Sequence, residues 1–367
     1  MPAAAKIRVL VIDDSAIVRK ILSETLAAET DIEVVGTAPD PIIALDKINR
    51  LRPDVLTLDV EMPRMDGLTF LKSLMKTNPL PVILISSLAL NSCEVAMEAL
   101  RIGAVDVLAK PNGPYSVCDL RASLSTRIRA AAQAKLCRNG PPNSAPPSEI
   151  SRNGPNSKPA PPIIAAPPLT SLPVSTARAN RLVIAIGAST GGTEAIAALL
   201  PCFPAQMPPI VITQHIPPVF STAFAARLDH LSSLSVREAK DGEFAEPGLA
   251  LLAPGGFHLV LTREGARYRV RIKEGPLVCY QRPSVDVLFA SVAEAAGADS
   301  IGIILTGMGN DGAEGMLKMK RRGARTFAQD ETSSVVFGMP REAIRLGCVD
   351  QVLALNRIGR AVMDTLV

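Results

Sequence analysis

At 367 residues, with 47% hydrophobic side chains, the chain is long for one core, so two domains are expected. The net charge of +4 conceals no basic segment: residues 1–137 carry 16 basic and 16 acidic side chains, residues 138–180 four and one, and residues 181–367 19 and 18. With no Trp and only 3% aromatic residues, neither phosphate-backbone binding nor base stacking is well supplied, which argues against a nucleic-acid partner.

The opening "MPAAAKIRVLVIDDS" lacks a signal-peptide layout, because a charge pair closes its only apolar run, and a cytoplasmic protein is expected. Apolar β-branched runs then alternate with helical patterns. "IRVLVI", "EVVGTA", "DVLTL", "PVILIS" and "VDVLA" predict strands, while "AIVRKILSETLAA" and "DGLTFLKSLMKT" space apolar residues three and four apart. Five βα units predict a parallel sheet with ligands at its carboxyl ends. Asp13 and Asp14, Asp59, Ser86 and Ser87, and Lys110 all stand where strands stop. Three carboxylates in one crevice repel unless a cation sits among them, and oxygen-only ligands suit Mg²⁺. A central carboxylate beside Mg²⁺ and a lysine can accept a phosphoryl group. Asp54 and Asp106, by contrast, read as turn formers.

The motifs "DDS", "LDVEMPRMDG", "SS" and "KP" resemble a response-regulator receiver domain over about residues 5–130. The resemblance implies a flavodoxin-like α/β fold with phosphorylation on Asp59. It also implies Mg²⁺ held by Asp14, Asp59 and Asp13, a hydroxyl switch at Ser86 (Ser87 being the alternative), and Lys110 contacting the phosphate.

Residues 138–180 change composition abruptly to Pro, Ser, Asn and Ala, predicting an extended, semi-rigid linker. A second domain over 181–367 opens strand–helix–strand with "RLVIAIG", "TEAIAALL" and "IVITQH". "HLVLTREGARYRVRIK" alternates about a glycine turn as an antiparallel hairpin. The most apolar stretch, "VDVLFASVAEAAGADSIGIILTG", is interrupted by Asp286, Glu294 and Asp299, so no membrane insertion is expected. The six cysteines show no C-x-x-C spacing and predict free thiols, with neither a disulfide framework nor a zinc site.

The loop "GASTGG" presents either a phosphate cradle or Ser189 as a nucleophile. A dinucleotide-binding, Rossmann-like output requires G-x-G-x-x-G and an acidic residue at the tip of the next strand; that strand ends Thr213-Gln214-His215. A nucleophilic serine requires a base and an orienting acid. Among three histidines, His230 lies in a helical pattern and His258 begins a strand. His215 stands past the strand beside Ser189's own and is the best general base, although an isolated histidine there is more often structural. Asp311, bracketed by glycines in "ILTGMGNDG", is the candidate acid; its bland alternative is a helix cap or turn.

"IGASTGGTEAI", "ITQHIPP", "APGG", "RPSVDVLF" and "ILTGMGNDGAEGM" resemble the catalytic domain of the CheB methylesterase family. That resemblance implies a doubly wound α/β catalytic domain and a triad of Ser189, His215 and Asp311. It further implies oxyanion stabilisation by the Met308 backbone and an assisting hydroxyl at Thr190, while Arg282 and Ser284 fall in a matching stretch without a derivable role. The implied activity is demethylation of glutamate methyl esters and deamidation of glutamines on methyl-accepting chemotaxis receptors, with no cofactor for hydrolysis. A chemotaxis histidine kinase is the implied phosphodonor, a monomer is expected, and the resemblance implies that the unphosphorylated receiver occludes the active-site face.

Overall fold

The computed structural model describes residues 5–62, 65–87, 89–110, 114–135 and 181–366, so the expected linker lies outside the described residues. The five N-terminal strands β1 (Ile7–Ile12), β2 (Ile32–Ala38), β3 (Val55–Asp59), β4 (Val82–Ser86) and β5 (Asp106–Ala109) form a parallel sheet in the order β2-β1-β3-β4-β5. Helices α1 (Ala16–Ala27), α2 (Pro41–Leu51), α3 (Gly67–Thr77), α4 (Leu90–Ile102) and α5 (Pro114–Ala132) connect and cover it. Local chemistry starts three of them: Ser15, Asp40 and Asp66 each accept a backbone N–H of the first turn, and Pro41 supplies a helix-ready φ. Continuous burial of β3 and β4 on both faces matches their mainly apolar composition, with Asp59 and Ser86 at their carboxyl ends.

The second domain is built on seven parallel strands: β6 (Val183–Ala188), β7 (Ile210–Gln214), β8 (Ser235–Glu238), β10 (Leu249–Leu252), β13 (Ser300–Ile304), β14 (Arg325–Gln329) and β15 (Gln351–Leu353). Their order is β15-β14-β13-β6-β7-β10-β8. The expected hairpin exists as β11 (His258–Glu264) and β12 (Arg267–Lys273), but it forms a separate antiparallel sheet with β9 (Phe244–Ala245). Helices α6 (Gly192–Leu199), α7 (Phe220–Leu231), α8 (Val285–Ala295), α9 (Ala313–Arg321), α10 (Met339–Arg345) and α11 (Leu355–Leu366) complete it. No described helix is long and apolar enough to cross a membrane.

One buried apolar cluster runs from Leu56, Phe70 and Leu100 of the first domain into Ile196, Phe220 and Phe224 of the second. Helix α4 packs on α6 and α7 there, so the two domains share a seam.

Candidate active site

Strand pairing fixes the three candidate residues near one another. β13, β6 and β7 are adjacent, and Asp311, Ser189 and His215 follow them in that order. Ala188 pairs with Gln214, so Ser189 and His215 occupy equivalent positions one residue beyond the sheet. The His215 N–H donates to Ala188 O at 3.1 Å and Gln214 Nε2 donates to Ser189 O at 2.8 Å, locking this register.

The turn after β6 is possible only with glycines. Gly191 has φ +76°, and a Cβ there would lie 2.6 Å from Val335; one on Gly192 would lie 2.2 Å from Gln214 Oε1. Ser189 O accepts the Gly192 N–H at 2.7 Å, which leaves the serine on a tight strand-to-helix bend.

Asp311 is buried and saturated with donors. Its Oδ2 accepts His215 Nε2 at 2.7 Å and the Val285 N–H at 2.8 Å; its Oδ1 accepts Ser284 Oγ at 2.8 Å and the Asp286 N–H at 3.0 Å. The first-turn amides of α8 thus spend their unmatched donors on one carboxylate. Burial alone would raise the Asp311 carboxyl, but the His215 bond and charge and these amides hold it below the usual range. Because a carboxylate only accepts, His215 Nε2 carries hydrogen in this pair. His215 Nδ1 is buried and has no hydrogen-bond partner among the described residues.

Ser284, with no role legible in the sequence, caps α8 by accepting the Val287 N–H and donates to Asp311. No described residue accepts a hydrogen bond from the Met308 N–H, which leaves that donor available beside Gly307, where an added Cβ would lie 2.7 Å from Ser189 Cβ. Nearby, burial pushes Asp286 up to about 6 and Cys279 up to about 11, each aided by the Asp311 charge. The Cys279 thiol therefore stays protonated and is no rival nucleophile. His230 is exposed at the end of α7, as its helical pattern suggests.

Thr190 departs from expectation. Its hydroxyl donates to Asp106 Oδ2 of the first domain at 2.8 Å in a buried contact, so it does not face the nucleophile's pocket unengaged. Asp106 is likewise no simple turn former: it forms an ion pair with Arg127 of α5 and reaches across the seam. Sequence carries no signal for this pairing, since the partners are 84 residues apart on different sheets. Asp54, by contrast, accepts the Arg8 N–H at the sheet end, an ordinary structural task.

In the first domain Asp13, Asp14 and Asp59 bring carboxylate oxygens within 4.8 Å of one another. Lys110 Nζ lies 2.6 Å from Asp59 Oδ2 and 3.5 Å from Asp13 Oδ2. Burial pushes Asp59 up to about 6 and raises Asp13 as well, Lys110 opposing both. Asp13 Oδ2 is buried and, apart from the Lys110 ion pair, has no hydrogen-bond partner among the described residues. Three converging carboxylates supply oxygen donors of the kind a hard divalent cation takes. Ser86 is fully buried and, among the described residues, its Oγ reaches Ser87 O at 3.4 Å, while Ser87 Oγ lies 3.5 Å from a Glu61 carboxylate oxygen.

A phosphate-accepting receiver sheet joined to an α/β domain with a serine–histidine–aspartate constellation defines a receiver-coupled hydrolase. The response regulator receiver domain model matches residues 9–120, and the CheB methylesterase model matches residues 184–362. The protein-glutamate methylesterase/protein-glutamine glutaminase 2 of Syntrophus aciditrophicus (strain SB) is 51% identical, covering 96% of this chain and 97% of its own. Its Salmonella typhi counterpart is 47% identical over 98% and 97%. The solved catalytic domain of Thermotoga maritima CheB methylesterase is 38% identical, covering 50% of this chain and 98% of its own, with a TM-score of 0.49. The chain belongs to the CheB methylesterase family.

Proposed function

We propose that Ser189, His215 and Asp311 carry the hydrolysis characteristic of this family. The chain is a phosphorylation-regulated hydrolase that demethylates glutamate methyl esters and deamidates glutamines, in the manner for which its relatives are named. The observation that carries the residue assignment is the His215–Asp311 pair, which leaves Nδ1 as the imidazole's only open nitrogen. Ser189 attacks the γ-carbonyl of the ester while Nδ1 takes its proton. Asp311 holds the Nε2–H tautomer and stabilises the charged ring. The Met308 N–H is the proposed donor to the developing oxyanion. Methanol leaves with the proton returned from His215, and water then hydrolyses the acyl-enzyme. On glutamine the departing group is ammonia, which requires that proton more strongly. Chemoreceptors supply these side chains, and a histidine kinase supplies the phosphoryl group.

Regulation is proposed to run through the seam. Asp13, Asp14 and Asp59 would hold Mg²⁺, which when bound neutralises charge around the phosphoryl group. Asp59 accepts that group, Lys110 pairs with it, and Ser86 moves its hydroxyl toward it. The Thr190–Asp106 bond supports occlusion in the unphosphorylated form, because it holds the residue next to the nucleophile. Release of Asp106 frees the Thr190 hydroxyl to assist at the carbonyl. The domain division at about 130 and 181, the monomeric state and the cytoplasmic location are proposed on the same basis.

Methanol release from methylated receptor tests the assignment. Ser189→Ala is expected to abolish it, and turnover retained in that variant refutes Ser189 as nucleophile. Phosphodonor stimulation lost in Asp59→Asn tests the acceptor.

A further inference from the structure

The triad acid is held by the N-terminal turn of α8, and that turn is itself held by a residue the reaction does not use. His258, at the start of β11, is 4% exposed. Its Nδ1 lies 3.2 Å from the Ser284 backbone nitrogen and its Nε2 lies 2.9 Å from Pro276 O. A backbone N–H only donates and a carbonyl only accepts, so Nδ1 is the acceptor and Nε2–H the donor. One imidazole therefore ties both ends of the loop from Pro276 to Ser284.

That loop is under tension of its own. Val278 and Gln281 exchange both backbone hydrogen bonds, at 3.1 and 2.9 Å, closing a two-residue turn on Cys279 and Tyr280. Both residues sit at positive φ, +51° and +62°, where such turns favour Asn and Gly. Non-glycine residues at such angles persist only where their surroundings over-determine them. Gly256 N–H donating to Arg282 O and Arg282 Nη1 donating to Gly275 O reinforce the same closure.

We infer that His258 is a positioning residue for Asp311: by accepting the Ser284 N–H it fixes the α8 N-terminus whose Ser284 hydroxyl and Val285 and Asp286 amides orient the triad acid. The inference rests on the triad proposed above and adds a part to it. Loss of the Nδ1 acceptor lets Ser284 drift, loosens Asp311 and with it His215, while the pocket that receives substrate keeps its walls. The effect therefore falls on kcat more than on KM.

Three variants of the full chain separate the two bonds. His258→Phe keeps ring volume and removes both; His258→Asn places an acceptor oxygen near the Nδ1 position; His258→Gln places a donor nitrogen near the Nε2 position. The expected result is a fall in kcat of at least tenfold in the Phe and Gln variants, with KM within twofold. Recovery to within about threefold of wild type is expected in the Asn variant. The low-field proton resonance of His215 Nε2–H, bonded to Asp311, should persist in the Asn variant and shift or broaden in the Phe variant. Wild-type kcat in His258→Phe, or equal losses in all three variants, overturns the inference. Covalent labelling of Ser189 by a fluorophosphonate in the wild-type chain reports on the triad separately. Absent labelling strikes at the triad, whereas normal labelling with an unaffected His258→Phe strikes at His258 alone.

Discussion

Replacing Asp311 by Asn changes one atom and poses a problem the site cannot solve. Each carboxylate oxygen of Asp311 accepts one backbone N–H, from Val285 or Asp286, besides a side-chain donor. An amide has one accepting oxygen, so its NH₂ must face one of those backbone donors. If it takes the Oδ2 position, His215 must accept on Nε2, and its hydrogen moves to Nδ1, the atom that must remove the Ser189 proton. The wrong tautomer of a serine–histidine–aspartate triad costs about 10⁴ in kcat, or roughly 5.5 kcal/mol. If the NH₂ takes the Oδ1 position, the tautomer survives but no negative charge stabilises the imidazolium. A loss of about 10²–10³, the size associated with removing one electrostatic contact, then follows. Facing the Val285 N–H strands a buried donor and costs about 1–3 kcal/mol of stability, and facing the part-buried Asp286 N–H costs less. Methanol release from methylated receptor gives kcat, and ¹⁵N shifts of His215 report which nitrogen carries hydrogen. Turnover within tenfold of wild type would show that Asp311 is not the orienting acid.

Two other substitutions probe the surroundings. Asp106→Asn removes the charge paired with Arg127 and exchanges the charge-assisted bond to Thr190 for a neutral one, the latter alone a difference of about 1 kcal/mol. Basal activity of the unphosphorylated enzyme should rise by about fivefold and stimulation by phosphodonor should shrink; unchanged values of both would count against the latch. Asp286 has a folded-state pKa of about 6, above the ordinary 3.8, so its contribution to stability is greatest below pH 3.8 and is lost as pH rises through 6. A rise of about two pH units corresponds to at most about 3 kcal/mol, and partial solvent access reduces it to about 1–2 kcal/mol. Asp286→Asn should therefore unfold at higher temperature than wild type at pH 8 and at the same temperature near pH 4. The opposite ordering by thermal melts would place the cost elsewhere.

Strand-end chemistry was legible because it is local. Asp13, Asp59 and Lys110 terminate runs whose period and β-branching already announce parallel strands, and topology then forces those ends together. The glycines about Ser189 and Asp311 were legible as clusters in the sequence; what requires them, a Cβ at Gly191 or Gly312 colliding with the distant Val335 or Val285, was not. Choosing His215 over His258 needed only the adjacency of two strand ends.

Three things were decided by tertiary structure alone. Ser284 and His258 acquire their contacts with Asp311 and with the loop backbone only when the loop from Pro276 to Ser284 folds back on β11, a closure with no periodic signature. Asp106 meets Thr190 only after two separately coded domains dock, α4 of the first against α6 and α7 of the second. The proposed choice of Nδ1 as base follows from the α8 turn holding Asp311 against Nε2 of His215. A chain can encode a strand or a turn through neighbours a few residues away, but a hydrogen bond spanning 84 residues depends on the packing of every element between.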